Sequence, residues 1–524
     1  MAESWKISRD GKIFTFKLRE GIKWSDGTPL TTEDVRFWYE DIIMNKELFP
    51  VPPRILTAGE KPLEIEIIDK YNFRVKFAEP YPLFLITLAK EGGKYTFFAP
   101  SHYLKQFHPK YTPKEKIDQL VKEAGLQNWI QLFEVKGSGT KAYLQNSELP
   151  VLWPWRAVTK PTASVMTLER NPYYFKIDPA GNQLPYIDKI QQILVENDQV
   201  TAMKILAGEI DFQDRGVGAD YTLLMENREK GGYRVVIWKG SGNWPVLYPN
   251  QNVKDPVLRK LFEDRRFRIA LSLAINREEI NQITSRGLSK PRQASLVKGL
   301  PGYDPEWEKA YAEYDPKRAN EILDRIGLSK RDKDGYRLRS DGKTLSLTIS
   351  FMGGPGETID ALEMVKKYWE SIGIKVALNP LERSLYTVRR DSGDYEVGVW
   401  SYDDVNPLAS TENTQLLGVE WAPLYRLWYF TRGKQGEEPK GDIKRLYELW
   451  DKALSTIDEK QRNRYFKEII NLHKKNIWMI GTIGEGIVSV PVKNNFRNVP
   501  EGIVSADFLR TPKNARPEQF FFKK

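Results

Sequence analysis

The stretch Trp400-Ser401-Tyr402-Asp403-Asp404-Val405-Asn406-Pro407 concentrates an indole, a phenol, two carboxylates and an amide. It follows DYEVGVW, a run that reads as a strand ending at Trp400, and open α/β sheets gather ligands beyond the carboxyl ends of their strands. A carboxylate in a water-poor cleft is costly unless a cation or several donors meet it. An acid of this segment, Asp403 or Asp404, would need such a partner if it faced a cleft, and Trp400 nearby could add a cation–π contact. Tyr402 and Asn406 complete that segment. The plain alternative is a solvated loop acid paired with Lys or Arg. A second kind of chemistry comes from indole faces, which stack on sugar rings. Trp153, Trp155, Trp244, Trp400, Trp421 and Trp428 stand in loop-like contexts, and Trp244 and Trp421 join the candidate set for this reason. Trp38, Trp369 and Trp450 recur at helical spacing and are expected in the core.

Catalytic constellations fare poorly. The chain has three histidines, His102, His108 and His473, and none stands in a compact metal-ligand spacing. Ser138 and Ser241 lie in GSG, without the G-x-S-x-G elbow. Pairs such as Glu33-Asp34 and Asp403-Asp404 are expected by chance among 70 acidic residues. No enzyme activity and no cofactor or metal is implied.

The elements that must carry these residues are legible locally. Asp10-Gly11 separates two alternating runs, so Trp5 to Ile7 and Phe14 to Leu18 should form a hairpin. Thr31, with Asp34 three residues on, makes a capping box for a helix whose buried face is Val35, Trp38, Tyr39, Ile42 and Ile43. Strands follow at 63–68 and 71–77. KIQQILV, the helix from Asp198 to Ala207 and EIDF are expected to form a βαβ unit, and YRVVIW supplies the next strand. The glycines of KGSGNWP that follow suit a hinge or cleft-edge loop, since no phosphate-loop pattern is present. Asn276 should cap a helix with Glu279 at its third position, and Asp315-Pro316 should open another that ends at Gly327. The strand 345–351, the helix 357–371 and the strand 374–378 make a right-handed βαβ crossover.

At 524 residues the chain exceeds one ordinary core, and 40% hydrophobic with 29% charged residues is the composition of a globular protein. No apolar run reaches the length of a membrane span. Cysteine is absent, which excludes disulfides and thiolate chemistry. The net charge of +10 comes from signs that alternate along most segments, as in KRDKDGYRLR, so solvated faces rather than nucleic-acid binding are expected.

AESW followed by DGKIFTFKLREGIKWSDGTPLTTEDV resembles the signature of the family 5 solute-binding proteins, receptors of ABC importers for oligopeptides, dipeptides, nickel and some oligosaccharides. DRRFRIALSLAINREEI and the GNQLPYID insert resemble the same family, the latter a longer subgroup. The resemblance implies an α/β, bilobal periplasmic-binding-protein-like clamp (type II, cluster C-like) with an extra α/β subdomain in lobe one. The expected divisions are 1–185 for the subdomain and the start of lobe one, 186–245 for lobe one, 246–480 for lobe two and 481–524 for the return to lobe one. It implies a monomeric extracytoplasmic receptor that captures an oligopeptide or oligosaccharide and delivers it to the ABC permease subunits in the membrane, with no nucleic acid involved. The peptide class is the first expectation and oligosaccharide the alternative, with a secreted glycoside- or peptide-processing enzyme as a remote one. Asp403 matches the family position where an Asp holds a peptide's α-ammonium group, whereas Asn406 departs from the Asp or Glu often found before the Pro. The basic anchors for a peptide carboxylate find no match. Met1 stands where the family has the Leu of LAESW, so the sequence is expected to be an N-terminally truncated copy, from a split gene or a misplaced start, lacking the signal peptide and a first strand.

Overall fold

A computed structural model describes residues 1–91, 97–138, 142–159, 164–217, 221–353, 357–409 and 414–523. The N-terminal hairpin forms as the turn chemistry requires: Ala2–Ile7 pairs antiparallel with Ile13–Leu18, Trp5 opposite Phe16, around Gly11 at φ 65°. Asn72–Lys76 and Glu64–Ile67 extend this to a four-stranded sheet in which Ala2–Ile7 is the edge, with Trp5 and Ile7 exposed. Phe14, Phe16, Leu18, Phe73 and Val75 go into the core, and Trp5 and Ile7, register partners of Phe16 and Phe14, stand on that same face where the core ends at the edge strand. Thr31 and Asp34 make the expected capping box. The helix Thr32–Phe37 then widens into a π-type turn over Trp38–Ile43, which keeps Val35, Trp38, Ile42 and Ile43 on one buried face.

The core of this N-terminal unit is continuous with that of the helices Pro423–Thr431, Gly441–Ser455 and Glu459–Asn476, through Tyr425, Leu446, Trp450 and Ile469. One polar bridge spans the junction. Arg432, in the left-handed region at φ 55° past its helix, donates to the carbonyls of Glu60 (2.6 Å) and Gly59 (3.0 Å) in the turn between Thr57–Ala58 and Lys61–Pro62. An exposed charged donor of this kind is worth about 1 kcal/mol. Arg432→Ala should therefore raise amide hydrogen exchange over residues 57–62 about fivefold while leaving the hairpin at 2–18 protected. Unchanged exchange at 57–62 would show that the bridge holds nothing.

Two further sheets follow. In the first, Tyr233–Gly240 pairs antiparallel with Ile487–Lys493 and parallel with Val504–Ser505. The second, a seven-stranded sheet, runs Lys290–Pro291, Ile483–Gly484, Asn243–Pro249, Val397–Tyr402, Ser346–Met352, Lys375–Leu381, with Ile480–Gly481 also on Asn243–Pro249. At one end of this sheet lies the predicted crossover: Ser346–Met352 and the edge strand Lys375–Leu381 are parallel, and the intervening helix Glu357–Ser371 buries Leu362, Val365 and Trp369 against them. Asn276 caps its helix, accepting from the Glu279 N–H (3.1 Å), and Gly327 ends another at φ 93°.

The expected βαβ unit at 189–212 is not formed. Lys189–Ile193 closes a small antiparallel sheet with Trp155–Ala157 and Val165–Arg170, and EIDF makes only a single bridge, Phe212 to Val492. The four residues of EIDF are too few to hold a ladder on the open edge of Ile487–Lys493, and Lys189–Ile193, its expected partner, is taken up by Val165–Glu169 instead.

The chain passes between these two sheets twice. It leaves Gly240 to enter the second sheet at Asn243, and leaves Gly484 to re-enter the first at Ile487. The two passages are hydrogen-bonded side by side, the Gly240 N–H to the Gly486 carbonyl (2.8 Å) and the Glu485 N–H to the Gly242 carbonyl (3.0 Å).

Candidate functional site

The strand Val397–Tyr402 delivers Trp400, Ser401 and Asp403 to a cavity of about 630 Å³, within the range of small-ligand sites. Residues between 383 and 427 supply most of its wall; Asp507, Phe508 and Arg510 near the C-terminal end supply the rest. The two parts meet where Asp403 Oδ2 accepts from the Asp507 N–H (3.2 Å).

The helix Arg383–Asp391 lies along the strand, started by the Glu382 carboxylate, which accepts from the Ser384 (2.7 Å) and Leu385 (3.2 Å) N–H groups. Arg383, Tyr386 and Arg390 share one face of it. Tyr386 stacks on Trp400, ring centres 5.7 Å apart and planes at 16°, and the Arg383 guanidinium sits 5.9 Å from the same indole. The Tyr386 hydroxyl donates to Glu420 Oε2 (2.7 Å), and Arg390 donates to Oε1 (3.1 Å). Glu420 has no solvent exposure, and burial pushes its carboxyl above the ordinary value against the pull of Arg390. A buried carboxylate held this way fixes the Tyr386 ring, and Tyr386 fixes the indole. The remaining polar wall is Asp391, Gln415, Arg426 and Arg510. Four guanidiniums and four carboxylates therefore line one cavity, a surface that offers donors and acceptors of both signs.

Of the six residues expected to contact ligand, Trp400 and Asp403 lie in this cavity. Tyr402 is buried, packed against Trp307 with ring centres 6.3 Å apart. Trp421 has no exposure: it stacks face to face on Trp478 at 4.7 Å and donates its N–H to the Gln415 carbonyl (2.8 Å). Both are corrected from ligand contacts to core supports, because the helices that cover them come from distant sequence. Trp244 is half-buried, donates to Thr358 Oγ1 (3.0 Å) and stands outside the cavity, as does Asn406. Arg383, Arg390 and Glu420 were missed. The spacing of Arg383, Tyr386 and Arg390 in ERSLYTVRRD was a readable signal of one helix face. Asp507 and Arg510 carried none. Trp38, Trp369 and Trp450 are buried, as their spacing predicts. Among the described residues no group of three or more acidic or histidine side chains is placed to hold a metal, and no helix is long and apolar enough to cross a membrane.

The family model for bacterial extracellular solute-binding proteins, family 5 Middle, matches residues 1–418. The chain belongs to that family. A solved oligopeptide-binding protein OppA is 43% identical, with TM-score 0.72 over 100% of this chain and 84% of that one. The periplasmic binding protein MelB of Agrobacterium fabrum C58, solved with stachyose, shares the fold at TM-score 0.73 and 22% identity, over 100% of this chain and 76% of that one. The periplasmic alpha-galactoside-binding protein of Rhizobium meliloti is 25% identical over 96% of this chain and 71% of its own length. This family 5 chain thus shares its two-lobed architecture with proteins named for peptides and for sugars.

Proposed function

We propose that this chain is the extracytoplasmic receptor of an ABC importer. In this reading the divisions at residues 246 and 481 separate two lobes that close on an oligopeptide-class solute, and the permease recognises the closed, monomeric form. The observation that carries the peptide reading is the mixed-charge cavity. A peptide is zwitterionic, and Asp403 for its ammonium group with Arg383, Arg426 or Arg510 for its carboxylate would satisfy both ends. The 43% identity to a protein named for oligopeptide binding supports it. No step of bond making or breaking is part of this reading.

Oligosaccharide is the second reading. Trp400, backed by Tyr386, is a rigid flat platform of the kind that stacks on sugar rings, and the alpha-galactoside receptor matches nearly the whole chain.

Titration calorimetry with trialanine and with stachyose separates the two. For a peptide, Asp403→Asn removes the counter-charge of the ammonium and should cost about 2–5 kcal/mol. For a neutral sugar it keeps a polar group of equal size and should cost about 1 kcal/mol, and Trp400→Ala should then cost more than Asp403→Asn. Mass spectrometry of solute that co-purifies identifies the natural member of the class. If neither substitution changes the affinity of a bound solute, this cavity is not the site. Hydrolysis of either probe would instead make the protein an enzyme.

A further inference from the structure

At the two inter-lobe passages the backbones approach so closely that side chains are excluded. A Cβ on Gly240 would lie 2.8 Å from the Gly486 carbonyl oxygen, one on Gly484 2.9 Å from that of Gly242, and one on Gly486 2.7 Å from Ser289 Oγ. Between Gly484 and Gly486 stands a residue that is neither small nor neutral. Glu485 takes the left-handed conformation at φ 51°, where glycine is the easy choice. Its side chain must therefore contribute something glycine could not.

That contribution is a contact with lobe two alone. The Glu485 carboxylate pairs with Arg292 and with Lys290 Nζ (3.0 Å). Arg292 has no solvent exposure; its Nη2 donates to Ser295 Oγ (2.7 Å) and the Leu296 carbonyl (2.9 Å) and lies 3.6 Å from Glu308, while its Nη1 meets Glu485. A buried guanidinium that loses a hydrogen-bonded carboxylate is destabilised, and Glu308 does not reach Nη1 in its place, so Glu485 cannot leave Arg292 cheaply. The adjacent passage is tied to the same lobe: buried Asn243 donates to the Ser295 and Tyr402 carbonyls, each at 3.0 Å.

We propose that the Glu485–Arg292–Lys290 ion cluster is the post of the hinge: it locks residues up to 485 to lobe two, confines bending to the glycine bonds at 240–242 and 486, and so sets how far the lobes separate. The inference rests on the clamp reading but not on the solute. Bending at an inter-lobe passage is a common way for domains to close; what these contacts add is the residue that decides where the bend occurs.

The test uses no solute, so its outcome is independent of the ligand class. The absence of cysteine allows spin labels at Glu229→Cys in lobe one and Lys367→Cys in lobe two, both exposed, and pulsed dipolar spectroscopy then reads the distance between lobes. The otherwise unsubstituted protein should give one narrow distribution. Glu485→Gly keeps the backbone conformation and removes the post, and should at least double the width. Glu485→Gln, which retains one oxygen acceptor, should fall between. Arg292→Met should match Glu485→Gly, and if that buried change prevents folding the two Glu485 variants decide. A distribution already broad without these substitutions, or one unchanged in folded Glu485→Gly even with a lowered melting temperature, overturns the proposal.

Discussion

Acidification from pH 6.5 to about 3 should remove up to about 5 kcal/mol of stability through one residue, His473. Its ring is fully buried between Trp307, Trp421 and Trp478, and burial pushes its pKa down to about 3 from an ordinary 6.5. Its Nε2 lies 3.0 Å from the Leu416 carbonyl, which fixes that nitrogen as the protonated donor and leaves Nδ1 bare. The folded state thus keeps a neutral imidazole where the unfolded chain binds a proton. Stability from this group is complete above pH 6.5 and is lost as the pH falls towards 3, at about 1.4 kcal/mol per pH unit. His473→Gln can keep a donor to Leu416 and cannot titrate. Urea midpoints of the two proteins from pH 7 to 4 should therefore converge, the wild type losing its advantage as acid is added. A gap that stays constant with pH would mean that His473 is not neutral in the folded protein, or titrates alike in both states.

Trp421→Ala should lower stability by about 3–5 kcal/mol, the range for emptying a buried aromatic site. The indole is stacked on Trp478 with parallel planes, edge-on to His473, and its N–H is satisfied by Gln415. Removal leaves a void and an unpaired carbonyl beneath the loop that carries Gln415 and Glu420 to the cavity. Solute affinity should fall only as far as that loop loosens, so the loss on melting should exceed the loss on binding. A variant that melts like the wild type but no longer binds would return Trp421 to the cleft. For Trp400→Ala the order reverses, because Trp400 is half-exposed and lines the cavity.

Much of the fold was legible because it is locally encoded. Caps, positive-φ glycines and period-two or period-three-and-a-half patterns act over a few residues, and the hairpin, the Thr31 capping box, the Asp315 and Asn276 helix starts and the 346–381 crossover follow from them. EIDF failed for the same reason: its pattern was too short to hold a ladder, and Lys189–Ile193 found its partner in Val165–Glu169.

The amino-acid sequence by itself determined the family, many of the local elements and the strand that leads to Trp400 and Asp403. Only the tertiary structure decided which side chains line the cavity. Trp400 and Trp421 stand in equally loop-like surroundings, yet one lines a cavity and the other is sealed by helices. Asp403 meets the Asp507 backbone 104 positions away, and Arg292 meets Glu485 across 193. Burial and charge pairing depend on which surfaces dock, and docking sums many weak contacts between distant segments, so no local window of sequence contains it.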